Sequence, residues 1–298
     1  MRIATTQFHA TLNRSLELNQ TAASRLNQQM ASGKRVMVPS DDPITSVRLS
    51  RLTREEAIID QYRENIGAVQ IRLTKNESYV SGMVGDLTEA HDLLVWAADG
   101  SNTPDDLKSM VDSLVALRDS LAYTANTRDQ EGKYLFSGTM TDTAPLAFDG
   151  TAYSYAGNAG EQKVVVGNGI TQTVNVNLGG LDVLLNKMTE AIEALRTTTT
   201  DSSAAPMKAL IGDTMALVQS TQDSLAGKVA KLGGAQNVLA TLDSNHANVS
   251  LSNKTAMTEL GQLDYGVAST ELAGYNMALQ ATYQSYSKIS ALSLFNVL

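Results

Sequence analysis

Cysteine is absent from this 298-residue chain, which removes disulfides, thiolate metal sites and thiol nucleophiles together. Tryptophan occurs once and phenylalanine four times. Proline occurs only at Pro39, Pro43, Pro104, Pro145 and Pro206, so residues 207–298 carry none. No apolar run reaches the roughly 18 residues that a membrane span needs. The opening stretch MRIATTQFHATLNRSLELNQ lacks the apolar centre of a cleaved signal. These two absences predict a chain that stays in the cytoplasm or leaves it by a route using no cleaved signal. Positive charge is scarce as well, with 23 Lys and Arg against 31 Asp and Glu, a net charge of −8. A phosphate backbone is bound through Lys and Arg, so nucleic acid is not expected as a partner, and neither is a membrane.

What is present is helical periodicity. Hydrophobic residues make up 43% of the chain, enough for a sizeable core in two or three domains. Ile59, Tyr62, Ile66, Val69, Leu73, Asn76, Val80, Met83, Leu87, Ala90 and Leu94 follow at alternating spacings of three and four. So do Leu232, Ala235, Leu239, Leu242, His246, Val249, Asn253, Ala256, Leu260, Leu263 and Val267. A sustained seven-residue repeat predicts helices packed along their length. A shorter helix through Leu107, Met110, Leu114, Leu117 and Leu121 starts at Asn102-Thr103-Pro104-Asp105-Asp106, a capping residue followed by Pro and acids. From about Pro206 a helix of some 90 residues, on the order of 135 Å, is allowed, with glycines such as Gly227, Gly233-Gly234 and Gly261 as points of interruption.

Nine of the 21 glycines fall between Gly132 and Gly180. There, Leu146–Phe148, Gln162–Val166 and Thr171–Leu178 are β-type runs bounded by Asp149-Gly150, Gly167-Asn168-Gly169 and Gly179-Gly180, which is hairpin punctuation. The fold expected is mainly α, a long antiparallel helical bundle or coiled coil built from both chain ends, with a small β-rich inserted domain. The expected division is 1–45 with 260–298, 46–136 with 181–259, and 137–180.

The two ends carry little charge. Between Leu272 and Leu298 only Lys288 is charged, while Leu272, Tyr275, Leu279, Thr282, Tyr286, Ile289 and Ser293 form one seam. Ala278, Ala281, Leu292 and Phe295 form a stripe beside it, and Phe8, Leu12, Leu16, Ala23, Leu26 and Met30 suggest a partner seam. A helix with few charges all round is normally buried. The expected assembly interface is therefore Phe8, Leu12, Leu16, Leu26, Met30, Leu272, Tyr275, Leu279, Tyr286, Ile289, Leu292 and Phe295, covered by other copies of the chain.

Chemistry-bearing clusters are weak by comparison. His9, His91 and His246 lie far apart, without metal spacing, and His246 sits on a helical seam. Asp41 and Asp42 are adjacent on a turn and read as caps. Gly157-Asn-Ala-Gly160 lacks the Lys-Ser/Thr of a phosphate loop. No catalytic set, cofactor site or metal site is assigned, and the tyrosines at 265, 275, 283 and 286 suit an interface.

Between the N-terminal seam and the first long repeat stands Met30-Ala-Ser-Gly-Lys-Arg-Val-Met-Val-Pro-Ser-Asp-Asp-Pro43. Gly33 can end one helix, Pro39 blocks its continuation, and Ser40, Asp41 or Asp42 can cap the next, with Pro43 in its first turn. This helix-break turn resembles the N-terminal signature of the flagellin family. Met1-Arg2-Ile3, the proline-bearing Ser40-Asp-Asp-Pro43 turn, and Gly132-Lys-Tyr-Leu-Phe-Ser-Gly138 running into Thr141-Asp-Thr-Ala-Pro145 resemble its hook–filament junction branch. Leu263-Asp-Tyr265 and Ser293-Leu-Phe295 resemble the family at large. The resemblance implies a non-enzymatic flagellar adaptor, exported by the flagellar type III apparatus, whose ends fold on assembly. It further implies contacts with itself in a ring or helical oligomer, with a FlgK-like junction protein, with flagellin and with the export chaperone FlgN. The location implied is the extracellular flagellum, after a cytoplasmic stage. The alternatives are a short flagellin, or a secreted effector with activity in the β insert.

Overall fold

The structure is a computed structural model that describes residues 2–295, with side-chain surroundings over 7–288. In order, the elements are α1 (Arg2–Ser32), α2 (Pro43–Ala97), α3 (Pro104–Ser109), α4 (Val111–Ala125), β1 (Leu146–Phe148), β2 (Tyr153–Tyr155), β3 (Lys163–Gly167), β4 (Ile170–Thr173), α5 (Leu181–Thr197), α6 (Ala205–Gly261) and α7 (Tyr265–Phe295). The mainly α expectation holds, with two small two-stranded sheets as its β part. The chain divides into two compact units, Met1–Ile58 with Asn248–Leu298, and Ile59–Ala247.

The unit of residues 59–247 owns the large core. From α2, Ile66, Val69, Leu73, Val80, Met83, Leu87 and Ala90 are buried at the spacing of three and four that the sequence shows. The α6 helix runs antiparallel to this stretch. Arg63 meets Asp243 at 2.9 Å, Gln236 donates to Glu77 at 2.6 Å, and Gln222 donates to Thr88 at 3.0 Å. Toward Leu94 the core widens to take in Leu107, Leu114 and Leu121 of α3 and α4, Leu184 and Met188 of α5, and Ile211 and Val218 of α6. Thr103 caps α3 with a reciprocal bond pair to Asp106, the start signal legible in sequence. The expected single helix through Leu121 is, however, broken at Met110 into α3 and α4.

The insert is two hairpins, each held by side chains. In the β1–β2 hairpin, the Asn186 side chain accepts from the Tyr153 N–H at 2.7 Å and donates to its carbonyl at 2.8 Å. Asn126 does the same to Leu146 at 3.0 Å in both directions. Each amide thus supplies the ladder partner that an edge strand lacks. The β3–β4 hairpin lays Val166 and Val174 on Ile66, Val69 and Leu73 of α2 and on Leu232 and Leu239 of α6. Asn65 donates to the Val165 carbonyl at 2.8 Å, and His246 bonds the Val166 carbonyl at 3.0 Å while its ring lies 5.5 Å from that of Tyr62. Gly138, at φ +75°, leads into this insert. A β-carbon there would lie 2.2 Å from the Asn158 carbonyl oxygen.

Two points differ from the sequence reading. The Thr171–Leu178 run forms a strand only over Ile170–Thr173. Beyond it Val174 and Leu178 are buried in the core, and the run's further pairing includes an isolated antiparallel bridge of Asn177 to Ser137. The strand Tyr153–Tyr155 was not expected, and it exists because Leu146–Phe148 and Asn186 flank it. The stretch after Pro206 is interrupted at one of the glycines the sequence offers: α6 runs through Gly227, Gly233 and Gly234 and ends at Gly261, and α7 follows from Tyr265.

Candidate assembly site at the chain ends

The unit that contains both ends is organised around the α1–α2 turn. Gly33 takes φ +69°, the left-handed conformation that lets a helix stop at no steric cost. Its carbonyl accepts from the Leu263 N–H at 3.0 Å, and the Arg35 N–H donates to the Gly261 carbonyl at 2.8 Å. The turn is thereby stitched to the α6–α7 break as an isolated antiparallel bridge, Lys34 opposite Gln262. Gln29, buried near the end of α1, donates to the Arg35 carbonyl at 2.7 Å. Arg35 itself spans the unit, reaching Asp42 and Thr45 at 3.2 Å and the Leu260 carbonyl at 3.1 Å.

The two carboxylates of the turn have separate tasks. Asp42 is the cap that the sequence left open among three residues. Its side chain accepts from the Thr45 N–H at 3.0 Å and the Thr45 hydroxyl at 2.6 Å, with Pro43 first in the helix. These two Thr45 bonds, with Arg35 behind them, hold its carboxyl down to about 2. Asp41 instead accepts from the N–H groups of Met37 and Val38 at 3.0 and 3.1 Å and pairs with Arg25 at 2.9 Å. The backbone donors and then the guanidinium hold Asp41 below the usual carboxylate range. Pro39 and Ser40 lie exposed on the loop between.

Asp264 starts α7 in the same manner, accepting from the N–H groups of Gly266 and Val267 at 2.8 and 3.1 Å. The helix then runs antiparallel to α1. Tyr265 donates to the Met30 carbonyl at 3.0 Å, Leu26 packs with Leu263 and Ala268, and far along the pair His9 and Tyr286 meet edge to face at 5.5 Å. Of the twelve interface residues expected from sequence, Leu26 is buried in this seam. Met30, Leu272 and Tyr275 are half-buried against it, and Leu12, Leu16 and Leu279 are half-buried too. Phe8 and Tyr286 remain exposed at 46% and 38%. The side chains of Ile289, Leu292 and Phe295 lie outside the described residues.

Pairing does not consume the apolar surface. Leu18 is 62% exposed, Met277 67%, and Val267 and Tyr283 are exposed by more than half. Tyr283 is among the tyrosines that the sequence suits to an interface, whereas Leu18 and Met277 have only the scarcity of charge around them as a signal. Two positions of the Leu232–Val267 seam, Val249 and Val267, are exposed. Val249 is exposed while its neighbour Ser250 is buried, because Glu56 of α2 accepts from the Ser250 hydroxyl and pairs with Lys254 at 2.8 Å. Among the described residues no group of His, Asp and Glu is placed to hold a metal ion, and no helix is long and apolar enough to cross a membrane.

Paired low-charge chain ends, a stitched helix break and a small β insert on antiparallel helices define a long-helix protein with a hairpin insert. The bacterial flagellin N-terminal helical region matches residues 3–141. Flagellar hook-associated protein 3 of Escherichia coli (strain K12) is 28% identical over 315 residues, covering 100% of this chain and 99% of that protein. A solved structure assigned as a flagellar hook-associated protein, from Vibrio parahaemolyticus, is 29% identical at a TM-score of 0.69, covering 74% of this chain and 100% of its own. Flagellin of Bacillus subtilis (strain 168) is 25% identical, over 91% of this chain and 90% of that protein. The chain thus carries the flagellin N-terminal helical region over residues 3–141 and is similar along its length to flagellar hook-associated proteins. These relatives are structural flagellar proteins, not enzymes.

Proposed function

We propose that the chain is the adaptor that joins the hook to the flagellin filament. A FlgK-like junction protein lies on one side and flagellin on the other, and copies of the chain itself complete a ring or helical layer. The observation that carries this reading is the α1–α7 pair, which buries one seam and leaves Leu18, Met277 and Tyr283 to water. Large apolar side chains left exposed on a pair of helices with few charges suit an interaction surface. On this reading the seam of Leu26, Met30, Leu272 and Tyr275 pairs α1 with α7 inside the chain. Exposed residues such as Phe8, Leu18, Met277 and Tyr286 meet neighbouring subunits, and the Gly33–Pro43 turn fixes how they are offered. Export through the type III apparatus, with FlgN shielding α7, accounts for how such a surface reaches the cell exterior without aggregation.

The likeness over 91% of the chain to Bacillus subtilis flagellin supports a second reading, a short filament subunit. Electron microscopy of flagella carrying a label on this protein separates the two. Label confined to the hook–filament boundary is the expected result, and label along the filament would establish the second reading instead. A deletion strain should leave bare hooks and release flagellin into the medium.

A further inference from the structure

The unit of residues 59–247 holds a concave site that the assembly reading does not use. It lies between the insert and α6, with a volume of about 370 Å³, within the range of small-molecule sites. Lys228 and Lys231 stand on its α6 side, one helical turn apart and therefore neighbours on one face. Gln172, Thr173, Asn175 and Asn177 form the facing wall.

The lysines are an unusual pair for an acidic chain. Neither forms an ion pair among the described residues. The half-buried Lys228 donates to the Asn177 carbonyl at 2.9 Å, which occupies one of the three donors of an ammonium. Burial, and then the charge of Lys231, lower its pKa, so the site holds two like charges at a cost. The acid at the rim, Glu161, is engaged by Lys163 at 2.9 Å. The wall is fixed in place, since Asn175 accepts from the Gln162 N–H and donates to the Gly160 carbonyl, both at 2.8 Å.

We infer that this groove binds a carboxylate-bearing saccharide, its carboxylate between Lys228 and Lys231 and its hydroxyls on the amide-rich wall. Charge-assisted bonds from two ammoniums suit an oxyanion, and side-chain amides and a hydroxyl suit a polyol rather than an apolar body. The groove lies within the single chain and is tested on the full chain in solution.

Isothermal titration with galacturonic acid and N-acetylneuraminic acid is the direct test, with galactose as the neutral comparison and inorganic phosphate as the bare anion. At least one acid should bind tenfold or more tightly than galactose, with shifts in the side-chain amide signals of Gln172 and Asn177. Lys228→Gln/Lys231→Gln should lose that binding by tenfold or more. Lys231→Gln alone, at an exposed position, should weaken it severalfold and serves if the double variant does not fold. Failure of both acids to bind, equal binding by parent and Lys231→Gln, or galactose matching the acids would each overturn the inference. Phosphate binding more tightly than either acid would overturn the saccharide assignment as well.

Discussion

Replacing Gly33 with alanine tests whether the α1–α2 turn sets the pairing of the chain ends. The backbone there sits at φ +69°, and an added β-carbon would lie 3.3 Å from the Tyr265 hydroxyl oxygen. The left-handed conformation costs a non-glycine residue roughly 1–2 kcal/mol. Displacing the Tyr265 hydroxyl from the Met30 carbonyl forfeits about 0.5–1.5 kcal/mol more. The sum, about 1.5–3.5 kcal/mol, corresponds to roughly a ten- to several-hundred-fold rise in local opening. Native-state hydrogen exchange reads this directly, because it resolves opening segment by segment. Amides of residues 20–32 and 265–280 should exchange faster by that factor, while those of 66–94 stay unchanged. Gly33→Asn should recover much of the protection, since asparagine tolerates the left-handed region. Tyr265→Phe should show only the hydrogen-bond share. The reasoning is refuted if Gly33→Ala leaves exchange at the ends within threefold of the parent, or if 66–94 accelerates equally.

Three other outcomes follow from the same geometry. The Asp42 cap is a carboxylate depressed to about 2 on folding, so its contribution is complete above an unfolded pKa of about 3.9 and is lost as pH falls from there through about 2. Protection of the Thr45 amide should fade across that window, and Asp42→Asn should flatten the response. Asn76, wholly buried on α2, donates to the Val174 carbonyl at 3.2 Å, so Asn76→Ala strands that carbonyl and should cost about 1–3 kcal/mol. A fall in the urea midpoint, with faster exchange in β4, checks it. Met277→Asp with Tyr283→Asp places charge on the exposed face of α7. It should abolish polymer formation, read by sedimentation, while the circular dichroism signal of the monomer stays near parental.

Much of this architecture is legible in the chain, and the parts that are not share a cause. The Ile66–Ala90 seam was readable because a long helix repeats its own burial rule, and Gly33, Pro39 and Pro43 state their backbone constraints locally. The exposure of Val249 was not readable, because a helix of 3.6 residues per turn drifts against a strict repeat of seven. A contact to Glu56, some 190 positions away, then decides which neighbour turns inward. His246 holds the Val166 carbonyl of a hairpin far off in sequence, so its seam position disclosed only half of its task. The strand Tyr153–Tyr155 likewise depends on Asn186, whose amide completes its ladder. At the candidate site, the sequence showed which residues are apolar and uncharged. The choice among them of which face pairs internally and which stays outward was made by the α6–α7 break at Asp264, a tertiary event.

The two units solve the burial of apolar surface differently, and this bears on when the ends are stable. The unit of residues 59–247 closes on itself, with Phe136, Leu87, Leu121 and Leu184 fully shielded. Among the described residues, the buried apolar side chains of the α1–α7 seam are Ala23, Leu26, Leu263 and Ala268, two of them alanines. Helices in water draw most of their stability from packing rather than propensity, so so thin a seam leaves the pair dependent on further contacts. Burying one large apolar side chain is worth about 1.5–3 kcal/mol. Covering Leu18, Met277 and Tyr283 by a neighbouring copy would therefore add several kcal/mol, comparable to the whole stability margin of a domain. The stitched turn makes that gain collectable, because it orders the seam before a neighbour arrives and lowers the entropy lost on docking. On this reasoning the polymer is the state in which the ends reach their full stability, and protection of α1 and α7 should rise with subunit concentration whereas that of the 66–94 core should not.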